Sequence, residues 1–533
     1  MSNTIEGTVT PAGSVNGSIQ YTREELTMGL NTEKMASIIN LLGGDASTLP
    51  DNLYSTYLNE ICRLLSEGGV GGASTADQVT MADGRTVQAA LDSLESNADM
   101  LALLNNYYVQ LDGVVGIQVD YANKTFERLA AATGLNAGAD FNRFPMFGGR
   151  RRCNVADDGT INAYFGDDGY TEDGSNGQVM VYQPAFYYRV LPITMTPQTD
   201  GVGYHLRKAN YYVSATERPG FKLHPAFRDA DGNPVDYILI GAYEGSLYDT
   251  SAAAYILDDA QVMDAAADKF CSIAGVKPAS GLTQNLTRPN IEQMAKNRGT
   301  GWHGDFIQVA SVNQLLMMIE MGTMNLQTAI GQGVVSISDN SAYNCSSLTG
   351  STVSFGNGTG RAASTTNEKG GATTNETADG KTAVVYRGVE NLWGNIWKFV
   401  YGVNIYGNGS QKGGVPFICT DLAFAESKKD GNYKSAGFSV TNANGYISAM
   451  GYGDPDFDWL FMASECLGNS TLPVGDYTYV TANLNGYRIA QLGSFWNYGT
   501  FAGGFCWTLS YGVGARYRAV GGRLVFIPTA KAA

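Results

Sequence analysis

The sequence predicts an α+β protein: an N-terminal extended arm and a helical stem, then a large β-rich head with long insertions. Three observations carry this expectation. An apolar seam runs through residues 87–108 at steps of four and three. From residue 141 the pattern changes to short β-type runs divided by Asp-Gly turns. The composition combines 66 Gly with 31 Tyr, 21 Phe and 6 Trp, and only 16% of residues are charged, against roughly 25% in an ordinary soluble chain. Such a chain favours aromatic-anchored strands and long loops over exposed helices.

Along the chain, the first twenty residues alternate Thr, Val, Gly and Ser around Pro11, an extended arm with too little apolar weight to fold alone. Helical patterns follow at residues 23–42 and 51–66, the second carrying Leu53, Tyr57, Leu58, Ile61, Leu64 and Leu65 on one face. The Gly-rich run GGVGGAST ends it. The seam consists of Val87, Leu91, Leu94, Ala98, Leu101, Asn105 and Tyr108. It fits a parallel oligomeric coiled coil, with Asn105 setting register, and equally a single amphipathic helix packed on its own domain. The head contains the runs GQVMVYQPAFYYRV and VDYILIGAYEGS, with helical patterns at 259–274, 289–298 and VASVNQLLMMIEMGTMN. Residues 331–381, rich in Ser, Thr, Asn and Gly, read as a flexible surface insertion. The resulting domain scheme is an attachment arm and helix at 1–50, a helical stem at 51–140 and a head at 141–533.

A net charge of −15 opposes binding to phosphate backbones, and the run Arg150-Arg151-Arg152 is expected to pair with nearby carboxylates such as Asp157 and Asp158 rather than with nucleic acid. Seven cysteines are widely spaced with no CxxC, which points to a reducing cytoplasm during folding. No run of eighteen apolar residues exists, and the start MSNTIEGTVTPAG lacks the pattern of a signal peptide, so neither membrane insertion nor export by that route is expected.

Catalytic signatures are sparse. His205, His224 and His303 form no HxxxH or HExxH pair, and GxSxG, GxxxxGK[ST] and a strand-linked GxGxxG are absent. The segment from Asp454 to Glu465 imitates calcium-loop spacing but places Trp459 where the sharp turn requires Gly, so it reads as an acidic turn. No catalytic residue, metal site or cofactor is assigned. Paired carboxylates of a polysaccharide depolymerase remain an open alternative, because spacing in sequence does not fix their separation in space.

The end of the chain, GSFWNYGTFAGGFCWTLSYGVGARYRAVGGRLVFIPTA, is preceded by RGVENLWGNIWKFVYGVNI and DFDWLFMASECLGNST. With RRCNVADDGTINAYFGD, QVMVYQPAFYYRV, RGTGWHGDF and QTAIGQGV, these segments resemble the variable proteins of diversity-generating retroelements, the class of the phage major tropism determinants. The resemblance runs from residue 141 to the end and implies a C-type lectin-like head of the formylglycine-generating-enzyme subtype. It further implies that residues 496–524 form a variable region, in which adenine changes from Asn codons reach the residues present. On that rule Tyr498, Phe501, Thr508, Ser510, Tyr511, Ala515, Tyr517 and Ala519 are the receptor-binding positions. The alternation of Ala515, Tyr517 and Ala519 with Arg516, Arg518 and Val520 would put the variable residues on one face of a strand.

The founding formylglycine-generating enzymes use two close cysteines to bind copper. Here Cys506 has only Cys466, forty residues back, so the resemblance does not carry that chemistry over. Trp393 and Trp397 are expected in the interior. The implied function is a non-enzymatic phage tail-fibre or tail-tip protein that adsorbs the virion to the host bacterial surface through a hypervariable face. Its implied partners are a host receptor, protein or glycan, and other tail proteins through the N-terminal region, with a homotrimer as the assembly and the virion tail as the location. A tail-spike depolymerase is the alternative, and a retroelement-diversified cellular surface protein is a third reading.

Overall fold

Strand-forming sequence dominates the head, and the fold follows it. The computed structural model describes residues 4–9, 17–22 and 113–530, except 200, 258–261, 282–284, 339–344, 370–371, 411–412 and 470–475. The described residues are mostly β-sheet, 37% strand and 12% helix, which corrects the α+β expectation. Among them there is no helical stem or coiled coil. The heptad seam and the helical patterns at 23–42 and 51–66 lie outside the described residues. The physical reason for the β character is the period-two placement of Val, Ile, Tyr and Phe through the head, which suits a pleated surface buried on one or both sides.

The chain divides into Met1–Asp112 and Gly113–Ala533. In the first unit, strands Thr4–Val9 and Gly17–Thr22 form an antiparallel hairpin running from Thr4 opposite Thr22 to Val9 opposite Gly17. The second unit starts at Gly113, ahead of the boundary expected at 141. Strand Val114–Asp120 is responsible: it pairs with Thr125–Ala130 and with Tyr204–Ser214, burying Val114, Val115, Ile117 and Val119 completely.

Three large sheets build this unit. One is organised around Tyr187–Pro197 and Tyr204–Ser214. A six-stranded sheet runs Trp302–Gly304, Arg523–Phe526, Tyr237–Glu244, Gln178–Pro184, Arg151–Val155 and Ile161–Tyr164. The chain's last strand is therefore interior to a sheet, which ties the C-terminus into the core. The third sheet carries Trp397–Asn408, Asn485–Leu492, Trp507–Leu509 and Tyr477–Val480 as successive neighbours, with Gly445–Tyr446 beyond the last of them.

The helix Ile307–Met321 is apolar around most of its circumference and buried along nearly its whole length, as such a helix must be. Met317 and Met318 are core filler, as their pattern suggests. Its polar residues each reach a different part of the unit. Gln308 donates to the Cys419 carbonyl (2.8 Å), Ser311 to Trp459 (2.7 Å) and Gln314 to Gly504 (2.9 Å), and Asn313 accepts from Arg150 (2.9 Å). Glu320, fully buried, accepts from Arg387 Nε (2.6 Å) and Nη2 (2.7 Å), from the Tyr386 hydroxyl (2.8 Å) and from the Gly138 amide (3.0 Å). Gly322, at φ 69°, ends the helix in the left-handed conformation that glycine adopts without Cβ strain.

Three local expectations change. The helix expected at 259–274 is absent from 262–274, where the chain makes a turn and the strand Lys269–Cys271, pairing with Ser246–Asp249. The helix Arg288–Lys296 does form. The described part of residues 331–381 is not a surface loop: Val334, Val335, Ile337, Thr349, Thr352, Thr365 and Asn367 are buried, and Thr365–Lys369 pairs with Ala372–Glu376. Small polar side chains enter the core there because their hydrogen bonds are met internally, Thr352 by Glu390 and Thr349 by the carbonyls of Ile273 and Val276. Arg152 pairs with Glu172 and Arg151 lies over Tyr164, while Asp157 is taken by Lys269 and Arg298.

Removing one partner of a buried ion pair strands the other charge. Glu320→Gln is expected to destabilise the protein by about 3–5 kcal/mol, read as a lower urea midpoint. A Glu320→Leu, Arg387→Met double variant is expected to lose less than either single change.

Candidate functional site

The C-terminal segment 496–524 meets a ridge of aromatic rings that its own sequence does not contain. In strand Tyr477–Val480, Thr478 and Val480 face inward while Tyr477 and Tyr479 alternate to the half-buried side. Tyr446 sits directly across from Tyr477 in the neighbouring strand, with ring centroids 5.0 Å apart. Tyr477 lies 4.6 Å from Tyr479 and 4.7 Å from Phe501, and Tyr446 lies 5.7 Å from Phe501. Tyr479 continues to Tyr498 (5.4 Å), which also meets Phe495 (4.6 Å), Phe501 (6.3 Å) and Trp397 (5.5 Å). Tyr511 and Tyr517 form an adjoining pair at 5.3 Å. Most of these rings meet tilted or edge to face, the favourable geometry for aromatic quadrupoles.

The predicted binding residues divide by exposure. Phe501 and Tyr511 are exposed, at 39% and 42%. Tyr498, Ser510, Ala515 and Tyr517 are half-buried. Thr508 and Ala519 are buried, at 3% and 6%, and are corrected out of the exposed face. Thr508 is the register partner of Tyr479 and Gln491 inside the sheet, and Ala519 packs with Val334, Ile337, Ile396 and Trp496. The expected alternating strand over 515–519 does not form: 512–519 is a loop with turns, and only Val520–Gly521 is strand. Two open glycines, Gly512 and Gly514, and an Ala515 to Gly512 turn hydrogen bond (3.0 Å) favour the loop. The Tyr517 hydroxyl turns inward to donate to Gln491 Oε1.

Tyr446, Tyr477, Tyr479 and Phe495 are members of the ridge that the codon rule did not select. The alternation Tyr-Thr-Tyr-Val at 477–480 is the sequence signal for two of them. Burial, followed by neighbouring Cys506 and Tyr511, pushes the Tyr498 phenol up to about 12. Burial raises Tyr479 and Tyr517 as well, so these phenols are neutral hydrogen-bonding groups at physiological pH.

Beneath the ridge, Asp476 is fully enclosed and its Oδ2 accepts from the Phe505 amide at 2.5 Å. Burial pushes its carboxyl up to about 8. Cys506 is also fully buried, and burial together with Asp476 raises its thiol well above the ordinary value. Trp507 donates to the Phe461 carbonyl (2.7 Å) on the inner side of the same strand. Trp393 and Trp397 are interior, as expected.

Elsewhere, the three histidines occupy separate settings: His205 contacts Ser464, His224 is packed among Phe186, Tyr188 and Trp459, and His303 contacts Glu292. A cleft of about 500 Å³ is lined by Asp229, Lys296, Thr300 and His303. Its Asp229 carboxylate is occupied by the amides of Asp231, Asn233 and Ala530. Asp305 and Asp458, which burial pushes up to about 7 and about 6, are enclosed rather than placed in that cleft. The Asp454 segment forms an acidic turn, with Asp454 accepting from the Asp456 amide.

Trp507→Ala is expected to cost about 3–5 kcal/mol, whereas Phe501→Ala and Tyr511→Ala should each change stability by less than about 1 kcal/mol in the same melts. Asp476 also sets a pH dependence. Its folded value lies above the ordinary 3.8, so the protonated form is favoured by folding, and its stabilising contribution is complete below about pH 4 and lost as pH rises through about 8. Asp305 and Asp458 act in the same direction. Denaturation midpoints across this range should therefore fall less steeply with pH in Asp476→Asn than in the wild type.

No family model and no curated protein matches the chain. Among solved structures, the Major Tropism Determinant P3c Variant aligns over 74% of this chain and 73% of its own length, with 12% identity and a TM-score of 0.23. A likeness at that score carries no inference about fold or function. No described helix is long and apolar enough to cross a membrane.

Proposed function

We propose that this chain is a receptor-binding protein of a phage tail, which adsorbs the virion to the host bacterial surface through the aromatic ridge and the adjoining loop 510–518. The observation that carries this reading is the convergence of Tyr498 and Phe501, chosen from sequence, with neighbouring Phe495 and with Tyr446, Tyr477 and Tyr479 from other segments, beside the pair Tyr511 and Tyr517, also chosen from sequence. Tyrosine-rich surfaces give large amphipathic contact area at little rotamer cost, which is how paratopes bind. Exposed Phe501, Tyr511 and Val513 lie beside open glycines, where side chains can change without disturbing Trp496, Phe505 or Trp507 in the core.

In this reading the protein is not an enzyme, its N-terminal unit attaches to other tail proteins, and it assembles as a homotrimer. Several faces on one particle raise avidity without new contacts. The likeness of residues 496–524 to a retroelement variable region supports the same role.

Replacing Tyr477, Phe501 and Tyr511 together by Ala should leave the fold intact and abolish adsorption of the protein to host cells. Unchanged adsorption would refute the face. The encoding locus should hold a reverse-transcriptase gene and a near-copy of the segment for residues 496–524 that differs at adenines. Release of reducing ends from host polysaccharide would instead establish the depolymerase alternative.

A further inference from the structure

A small polar cavity lies against one face of the helix Ile307–Met321. Ala310, Gln314 and Met317, at steps of four and three along the helix, form one wall, and Asp305, Lys398 and Arg523 stand around the rest. All six are buried. The cavity measures about 10 Å³, and a single water needs roughly 10–15 Å³.

Two oxygens of these lining residues lack a donor. Gln314 Nε2 donates to the Gly504 carbonyl (2.9 Å), and because a carbonyl only accepts, that bond fixes which end of the amide meets Gly504. Its Oε1 is left buried without a partner, and so is Asp305 Oδ1. Unmet acceptors in a dry interior are costly, so each calls for a donor. The cations of the cavity wall do not supply it: among the described residues, Asp305 forms no ion pair with Lys398 or Arg523. Lys398 has three N–H groups. One donates to the Gly394 carbonyl (2.8 Å), and Glu244 Oε1 lies 2.8 Å from the same nitrogen, which leaves a third for another acceptor.

We propose that this cavity binds one structural water, which donates to Asp305 Oδ1 and Gln314 Oε1 and accepts from Lys398. The chemistry of the wall separates water from other occupants of that size. A sodium ion would suit the two oxygens, but Lys398 and Arg523 repel a further cation at such short range. Chloride would suit Lys398 and Arg523 but would meet an amide carbonyl and a carboxyl, both acceptors. Water alone serves donors and acceptors together. Burial pushes the Asp305 carboxyl up to about 7, and a water suits both of its forms, donating to the carboxylate and accepting from the acid. The water also holds Gln314 in place. With Oε1 met, Nε2 stays on Gly504, and the turn Ala502-Gly503-Gly504-Phe505 next to Phe501 keeps its position. Asp305 is then a positioning residue that acts on this turn through the water, whatever molecule the aromatic face binds.

A crystal structure of the full chain, at a resolution that shows ordered waters, tests the site. One peak is expected within hydrogen-bond distance of Asp305 Oδ1, Gln314 Oε1 and Lys398 Nζ. A cavity without a peak, a direct Asp305 to Gln314 hydrogen bond, or a peak with the short multiple contacts of a metal ion would each overturn the assignment. Amide hydrogen exchange tests the positioning role. Asp305→Asn, which keeps a side-chain oxygen, should leave exchange at Phe505 and Cys506 as in the wild type. Asp305→Leu, which offers the water no acceptor, should speed exchange at both amides by about tenfold, as Gln314→Met should. Unchanged exchange in Asp305→Leu beside faster exchange in Gln314→Met would show that Gln314 holds the turn without the water, and would overturn the role of Asp305.

Discussion

A buried carboxylate imposes the tightest constraint on the head. Glu320 has no water to solvate it, so the fold must supply its counter-charge and its donors together, and it does so with Arg387, Tyr386 and the Gly138 amide. Arg387 extends the set by donating to Asn142 and to the carbonyls of Gly138 and Phe147. Residues nearly 250 positions apart in sequence are thereby held at one point. Because each bond is directional and none can be replaced by solvent, the end of helix Ile307–Met321 has one acceptable position relative to the segments around it.

The helix transmits that position to the candidate site. Gln314, two turns from Glu320, donates to the Gly504 carbonyl in the C-terminal segment. Gly503 is confined from the other side, since a Cβ there would lie 2.1 Å from an Asp476 carboxylate oxygen. The turn Ala502-Gly503-Gly504-Phe505 is therefore gripped from both sides, and the residues on either side of it inherit fixed directions. Phe505, Cys506 and Trp507 point into the core, while Phe501 emerges beside Tyr446 and Tyr477. The backbone of this turn is thus determined from outside the turn, by the helix and by Asp476.

The same logic explains the polar interior. Residues 331–381 carry few large apolar side chains, yet much of the described part of the segment is buried. Glu390 accepts from the Thr352 hydroxyl and from the amides of Gly350 and Thr352, and Arg523 donates to the carbonyls of Gly241, Glu390 and Asn391. Composition reads such a stretch as solvent-facing because it counts side chains one at a time, whereas burial depends on whether partners from distant segments arrive.

Several features were legible in the chain itself: the β-type runs of the head, the helices at 288–296 and 307–321, the interior tryptophans and half of the aromatic face. Each of these rests on local periodicity or residue type, which neighbours in sequence suffice to express. Tertiary structure decided the rest. It placed the start of the second unit at Gly113 through pairing with Tyr204–Ser214, turned 512–519 into a loop, and covered Thr508 and Ala519. It also brought Tyr446, Tyr477 and Tyr479 against Phe501 and Tyr498. A codon rule selects residues by their type, but exposure is a property of what packs above a residue, and that is set by strand pairing between segments the sequence keeps apart.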